Sequence, residues 1–182
     1  MIPAIVPSEM REARTIIQQT DEEVQVSDTT DGMWPSPQAP VEEWIEWATT
    51  WRSVAALNMV CVGFGERTVD FTVDAVPFPA NPNGAINGGM LAAIADQVFG
   101  VLAMWGSPTF VPATANLQVE YHRPLIGPAS IRGEILPGGR RLQFLEAILS
   151  DESGRRCATA HATMVAVTER PDLAEARGSH DN

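Results

Sequence analysis

The sequence predicts an α+β domain in which an antiparallel sheet wraps a long central helix. Three observations carry that prediction: residues 88–105 are apolar on nearly every side, two alternating strand-like runs precede them, and four more follow between turn-rich separators. A chain of 182 residues suits one such domain with a full core.

The chain opens with an expected N-terminal helical extension, residues 1–57. It contains a short helix near Met10 to Gln19 and then a polar stretch rich in Asp, Thr and Pro. From Pro40 to Leu57 the pattern is again helical, with proline and acids first and Arg52 late. Trp44, Trp47, Trp51 and Val54 share one face, which suits packing on the core or a subunit, with a lid over an apolar ligand as the sharper alternative. The net charge of −11 is concentrated in this extension, whose ten acids and three arginines leave it at −7. Such a segment cannot neutralise phosphates, so no nucleic-acid partner is expected.

Asn58 to Val76 alternates in two runs around Gly65-Glu66-Arg67, the signature of a hairpin. The helix from Gly88 to Trp105 comes next, with only Asp96 and Gln97 strongly polar. At 1.5 Å per residue it is roughly 27 Å long, close to a membrane span, but a central carboxylate costs about 2.5–3.5 kcal/mol in a bilayer. A core helix, with no membrane partner, is the expectation. Strands are then expected over Ala113 to Arg123, Ser130 to Leu136, Arg141 to Ser150 and Arg155 to Val167. They are separated by Pro124 to Pro128, Pro137-Gly138-Gly139 and Asp151-Glu152-Ser153-Gly154. The domain thus spans 58–168, followed by a polar tail, 169–182.

The candidate chemistry lies where the loop Asn81-Pro82-Asn83-Gly84-Ala85-Ile86-Asn87 meets the helix at Gly88-Gly89. A helix N-terminus offers unpaired N–H groups and the positive end of the dipole, and glycines let an incoming oxygen approach. That is an oxyanion site in kind, although a glycine pair also makes a tight entry turn. Gly89, Ala92, Ala93, Asp96, Gly100 and Ala103 recur at three- and four-residue spacing, so one helix face is small except for a single carboxylate. Asp96 is then either a satisfied structural acid or a working one. Cys61 and Cys157 lack CxxC spacing and read as free buried thiols, and no metal-ligand cluster is apparent. Six of the seven arginines in 58–168 lie between Arg123 and Arg156, the place to look for phosphate contacts or, equally, for solvated strand ends and turns.

This element order and these motifs resemble the hotdog-fold acyl-CoA thioesterases of the phenylacetate-pathway (PaaI) type, over roughly Asn58 to Val167. Their loop reads approximately N-x-x-G-x-x-H-G-G, against Asn81-Pro82-Asn83-Gly84-Ala85-Ile86-Asn87-Gly88-Gly89 here. Tyr121-His122-Arg123-Pro124 is similar to the family's Tyr-x-x-Pro strand end, and Gly138-Gly139-Arg140-Arg141 and Asp151-Glu152-Ser153-Gly154 look like its two hairpins. The resemblance implies a hotdog fold and hydrolysis of an acyl-CoA or related acyl thioester. Gly89 would polarise the carbonyl through its amide. Asp96, contributed across a homodimer interface, would act as general base or nucleophile, with Asn81 and Thr114 orienting the reacting groups. Asn87, Gly88, Gly84, Phe99 and Arg123 are the expected substrate contacts, with Trp105 and Phe110 as further candidates for the acyl pocket. No cofactor is implied beyond the coenzyme A of the substrate. A cytoplasmic location is expected, as a dimer or a tetramer.

Asn87 departs from the family's His, and an amide cannot exchange protons near neutral pH. His122, His161 and His180 read as structural or solvated and do not replace it. Two other readings follow: a non-catalytic hotdog module that binds acyl-CoA, and an enoyl-CoA hydratase or dehydratase, which would require an acid paired with a nearby His.

Overall fold

In the computed structural model, residues 34–74, 76, 80–138 and 141–170 are described. The short helix expected near Met10, the polar tail beyond residue 170 and the Gly139-Arg140 turn lie outside them.

The elements run α1 (Val41–Thr50), α2 (Arg52–Ala56), β1 (Met59–Phe64), β2 (Thr68–Val73), α3 (Gly88–Gly106), β3 (Phe110–Tyr121), β4 (Ala129–Ile135), β5 (Leu142–Asp151) and β6 (Arg156–Glu169). The strands form one six-stranded sheet in the order β1-β2-β4-β5-β6-β3, with every neighbouring pair antiparallel. This is the predicted α+β layout, with N-terminal helices ahead of it.

The helix α3 is long and apolar enough to cross a membrane, but the sheet covers its inner side. Leu91, Ile94, Ala95, Val98, Phe99, Val101, Leu102 and Ala103 are buried against that sheet. The floor beneath them is made of small residues, including Ala147, Ala158, Ala160 and Ala162. Small side chains let the helix sink close to the strands, where branched ones would hold it away. At Gly133 of β4 the approach is close: a Cβ there would lie 2.8 Å from Val98 Cγ1 and 3.1 Å from Leu102 Cδ2.

One helix was expected between Val41 and Leu57, but the chain makes two. Trp51 leaves helical geometry at ψ 127°, separating α1 from α2. Trp44 is buried, and its ring meets Trp47, Phe64 and Trp105 edge-on at 5.8, 6.2 and 5.3 Å between centroids. Trp51 turns outward instead and is 36% exposed. The tryptophans therefore close the core where α1 crosses β1, within a compact unit that starts at Trp34.

The long strand β3 lies at the sheet edge, paired only with β6. It starts at Phe110, three residues earlier than expected, and passes through Pro112, which lacks an N–H to donate and is tolerated at an edge. The register slips at Val111/Pro112 and again between Thr114 and Asn116.

Replacing Gly133 with alanine should test how closely the sheet holds α3. Val98 is stiff at its first side-chain torsion, so the new methyl group should displace the helix or the strand. A loss of about 1–3 kcal/mol in urea unfolding is expected; an unchanged midpoint would mean that the layers give way freely.

Candidate active site

The loop before α3 is built by local turn chemistry. The Gly84 N–H donates to the Asn81 carbonyl at 2.7 Å and the Asn81 N–H to the Ala85 carbonyl at 2.8 Å. Gly84 takes φ +79°, a conformation that favours glycine, so its role here is to close the turn. The Ile86 N–H then reaches the Leu125 carbonyl at 2.9 Å and ties the loop to the segment joining β3 and β4.

Asn87 is the N-cap of α3. Its Oδ1 accepts from the Gly89 N–H at 2.9 Å, and its Nδ2 donates to Asn81 Oδ1 at 3.3 Å. Such a cap stabilises a helix by typically about 1 kcal/mol. It also engages the Gly89 amide, the group expected to polarise a carbonyl.

The outer side of α3 is only half-buried at Ala92, Ala93, Asp96 and Gly100, as the spacing predicted, although Ala103 at the end of that stripe is fully buried in the core. Asp96 Oδ1 accepts a hydrogen bond from the Thr114 hydroxyl of β3 at 3.0 Å. The register slip makes this contact. Leu117 pairs with Ala162 and Thr114 with Met164, both on the helix-facing side of β6, so the extra residue between them turns Thr114 inward. Further along β3, Tyr121 donates its hydroxyl to the Gly88 carbonyl at 2.7 Å.

Beside the loop lies an open groove of about 310 Å³, lined by Asn81, Ile86, Gly88, Leu91, Tyr121 and Arg123 among others. Three of the expected site residues, Asn81, Gly88 and Arg123, therefore meet at one place, while Asp96 and Thr114 meet at another. Seven residues separate Gly89 from Asp96 on the helix, about 10 Å along its axis. One thioester carbonyl cannot touch both groups of a single chain.

Phe99, expected at the ligand, is instead fully buried beneath the helix. Trp105 is also taken up structurally, its indole N–H donating to the Gly65 carbonyl at 2.8 Å within the tryptophan cluster. Phe110 is exposed at the start of the edge strand. Several arginines are committed as well. Arg132 pairs with Asp70 across β2 and β4 at 2.7 Å, Arg155 pairs with Asp151 in the last hairpin at 2.9 Å, and Arg67 donates to the Ile135 and Leu136 carbonyls. Arg123 donates to the Arg156 carbonyl at 2.5 Å and still faces the groove.

His122 bonds Thr159 at 2.8 Å and His161 bonds Glu146 at 3.1 Å; His180 lies outside the described residues. Among the described residues no three His, Cys, Asp or Glu side chains gather in a way that could hold a metal ion. Tyr121 was legible as part of the Tyr-x-x-Pro motif but was not expected at the site; its inward turn and bond to Gly88 require the β3–β6 register.

Residues 83–158 match the model of the thioesterase superfamily. That segment, 76 of the 182 residues, is similar to the superfamily and holds α3 and the strands β3 to β5. The chain's sheet and central helix superimpose on a thioesterase of Haemophilus influenzae with a TM-score of 0.64, at 17% identity over 75% of this chain and 95% of that one. They also match a Streptococcus pneumoniae thioesterase solved with coenzyme A, with a TM-score of 0.58 and 22% identity over 64% and 92% of the two chains. The Escherichia coli PaaI protein gives 0.59 and 13%, over 64% and 84%. A Thermoplasma acidophilum protein named as an esterase is 27% identical over 79 residues, 43% of this chain, which spans 60% of that relative's length. The hotdog fold expected from the loop and strand motifs is thus present, with its glycine-opened helix in the matched segment.

The thiols stand apart from this site. Cys61 and Cys157 are both free and buried, and burial pushes the Cys61 thiol up to about 12. In the folded protein near pH 8, Cys61 should resist a thiol-specific disulfide reagent, with labelling appearing only on unfolding. Rapid labelling of Cys61 under native conditions would contradict its placement.

Proposed function

We propose that this protein hydrolyses an acyl-CoA, or a closely related acyl thioester, to the free acid and thiol. Its match to the thioesterase superfamily over residues 83–158 supports thioester hydrolysis in general. The observation that carries the reading furthest is the Asp96–Thr114 pair on the half-open small face of α3. A thioester carbonyl brought there would meet a carboxylate oriented by a hydroxyl, with little side-chain bulk around it.

Asp96 takes a proton from water as general base, or attacks the carbonyl carbon directly and forms a mixed anhydride that water then opens. Either path places negative charge on the carbonyl oxygen, and the positive N-terminus of α3 is built to receive it. Because the two ends of this apparatus are about 10 Å apart along one helix, Asp96 of one chain works with the Asn87-Gly88-Gly89 end of another. A homodimer, with tetramers as a further step, is the assembly this requires; the edge strand β3 and the open helix face are the surfaces available for it. Arg123 at the groove is positioned for a phosphate of coenzyme A, and the coenzyme-A-bound S. pneumoniae relative supports that class of ligand. Hydrolysis of this kind needs no metal or redox cofactor, and we assign the protein to the cytoplasm.

The second reading, a non-catalytic acyl-CoA-binding module, is favoured by one observation. The Gly89 amide is already engaged by Asn87, a residue that cannot titrate. Hydration of an enoyl-CoA is less well supported, since His122 and His161 hydrogen-bond to residues away from Asp96.

The test is thiol release from short, medium, long and aromatic acyl-CoAs, run on wild type and on Asp96→Asn and Asp96→Ala, with enoyl-CoA hydration measured alongside. Chain folding and oligomeric state are checked in each. Loss of at least about a hundredfold in kcat in folded, correctly assembled variants is expected. Binding without turnover in wild type would establish the module, and equal rates would make Asp96 structural.

A further inference from the structure

Asp96 is one of two strongly polar residues on α3, and the other, Gln97, has no part in the chemistry described so far. These neighbours turn to opposite sides of the helix's half-open face. Asp96 is held by the Thr114 hydroxyl of β3, whereas Gln97 Oε1 accepts from the Ser53 hydroxyl of α2. Ala93 and Gly100 each lie three or four residues from both, so they form the floor between them. That floor is open: beyond the helix's own backbone, a Cβ added at Gly100 would meet only Met104 Cε among the described residues, at 4.0 Å. The Ser53 hydroxyl makes no other hydrogen bond among the described residues, so its single hydrogen goes to Gln97 Oε1 and draws that oxygen toward α2. The amide nitrogen, on the other side of the carboxamide, carries two hydrogens. Neither makes a hydrogen bond among the described residues, and the side chain is half-buried. A tie between α2 and α3 accounts for the oxygen and leaves this donor unexplained.

From this arrangement we infer that Gln97 Nε2 selects the acyl group of the substrate by donating to an oxygen carried a few bonds from the thioester carbon. This rests on the thioesterase reading and deepens it. With the carbonyl carbon at Asp96, the two ends of the substrate remain to be placed. The coenzyme A end is assigned to the groove at the loop, where Arg123 lies. The acyl group then takes the floor over Ala93 and Gly100, with Gln97 as the bank opposite Asp96. A plain alkyl chain laid there would cover the amide nitrogen and remove it from water with nothing in exchange, and a covered, unpaired donor is costly. A hydroxyl or keto oxygen on the chain would accept its hydrogen and lift that penalty. The substrate class is therefore a short acyl thioester bearing a hydroxyl or keto oxygen near the thioester, in preference to a plain alkyl one. Ser53 is the positioning residue for Gln97, which gives the helix pair ahead of the sheet a part in recognition.

Matched substrates test the assignment. Thiol release is measured as kcat/KM for 3-hydroxybutyryl-CoA and for butyryl-CoA, which differ by one hydroxyl, with wild type, Gln97→Met and Ser53→Ala. Melting temperature and oligomeric state are recorded for each. Gln97→Met keeps the length of the side chain and removes the donor. The ratio of the two kcat/KM values should fall about fivefold or more from wild type to Gln97→Met. It should fall by less in Ser53→Ala, where the amide remains but is no longer held. Comparing the ratio between proteins cancels the difference in intrinsic reactivity of the two thioesters, and a merely structural tie would lower the melting temperature without moving the ratio. A ratio in folded Gln97→Met within about twofold of wild type would overturn the assignment; equal losses on both substrates are such a case and would place the contact on the shared thioester or coenzyme A. Should Gln97→Met fail to fold, Ser53→Ala decides by the same ratio, a fall supporting the assignment and no change overturning it. A wild type that hydrolyses other acyl-CoAs but neither of these would also overturn it, leaving hydrolysis intact. Release of no thiol from any acyl-CoA would overturn the activity and this role together.

Discussion

The burial of α3 is the constraint on which the rest of the structure depends. A helix of 19 residues with little polarity on any side cannot stand in water. Six strands supply one cover, and they come close enough only because Gly133 and a run of alanines form the floor. The tryptophan cluster and α1 close the end near β1. What remains is a half-open strip of alanine and glycine with Asp96 in its middle. The strip is the consequence of a one-sided cover, and the same strip is where the candidate chemistry lies.

Strand β3 links the two ends of that strip. By its pairing with β6 it runs along the helix from the middle to the N-terminus, and it touches α3 with Thr114 at Asp96 and with Tyr121 at Gly88. A perfect two-residue alternation could not put both residues on the helix side, because 114 and 121 differ by an odd number. The register slip before Asn116 resolves the mismatch. Pro112 and that irregularity also break the regular edge that a flat strand would offer to unwanted pairing.

The loop before α3 is similarly over-determined. Its turn is closed by Gly84, its end is tied to Leu125, and its last residue caps the helix while contacting its first. Such a loop presents amide groups at fixed positions and costs little reorganisation when charge develops nearby. The carboxylate of Asp96 lies two turns further along the same helix, about 10 Å away along its axis.

Sequence by itself determined the element order, the burial of the central helix, the turns and the small helix face, because each depends on local periodicity or on the conformations open to glycine and proline. The loop motif and the Tyr-x-x-Pro strand end also made the hotdog architecture legible. Only the tertiary structure decided which side of β3 meets the helix, since a one-residue slip reverses every side chain beyond it and leaves no mark in composition. It also decided that Trp51 breaks the first helix and turns outward, where the tryptophan spacing suggested a continuous face. Ala103 lies on the covered side of α3 because the cover is broader than the strip that its spacing implied, and Phe99, expected at the substrate, is buried on that side as well. The Gly89 amide differs for another reason: whether an N–H is free depends on the rotamer of the residue that caps it, and a side chain's choice of partner is settled by the packing around it.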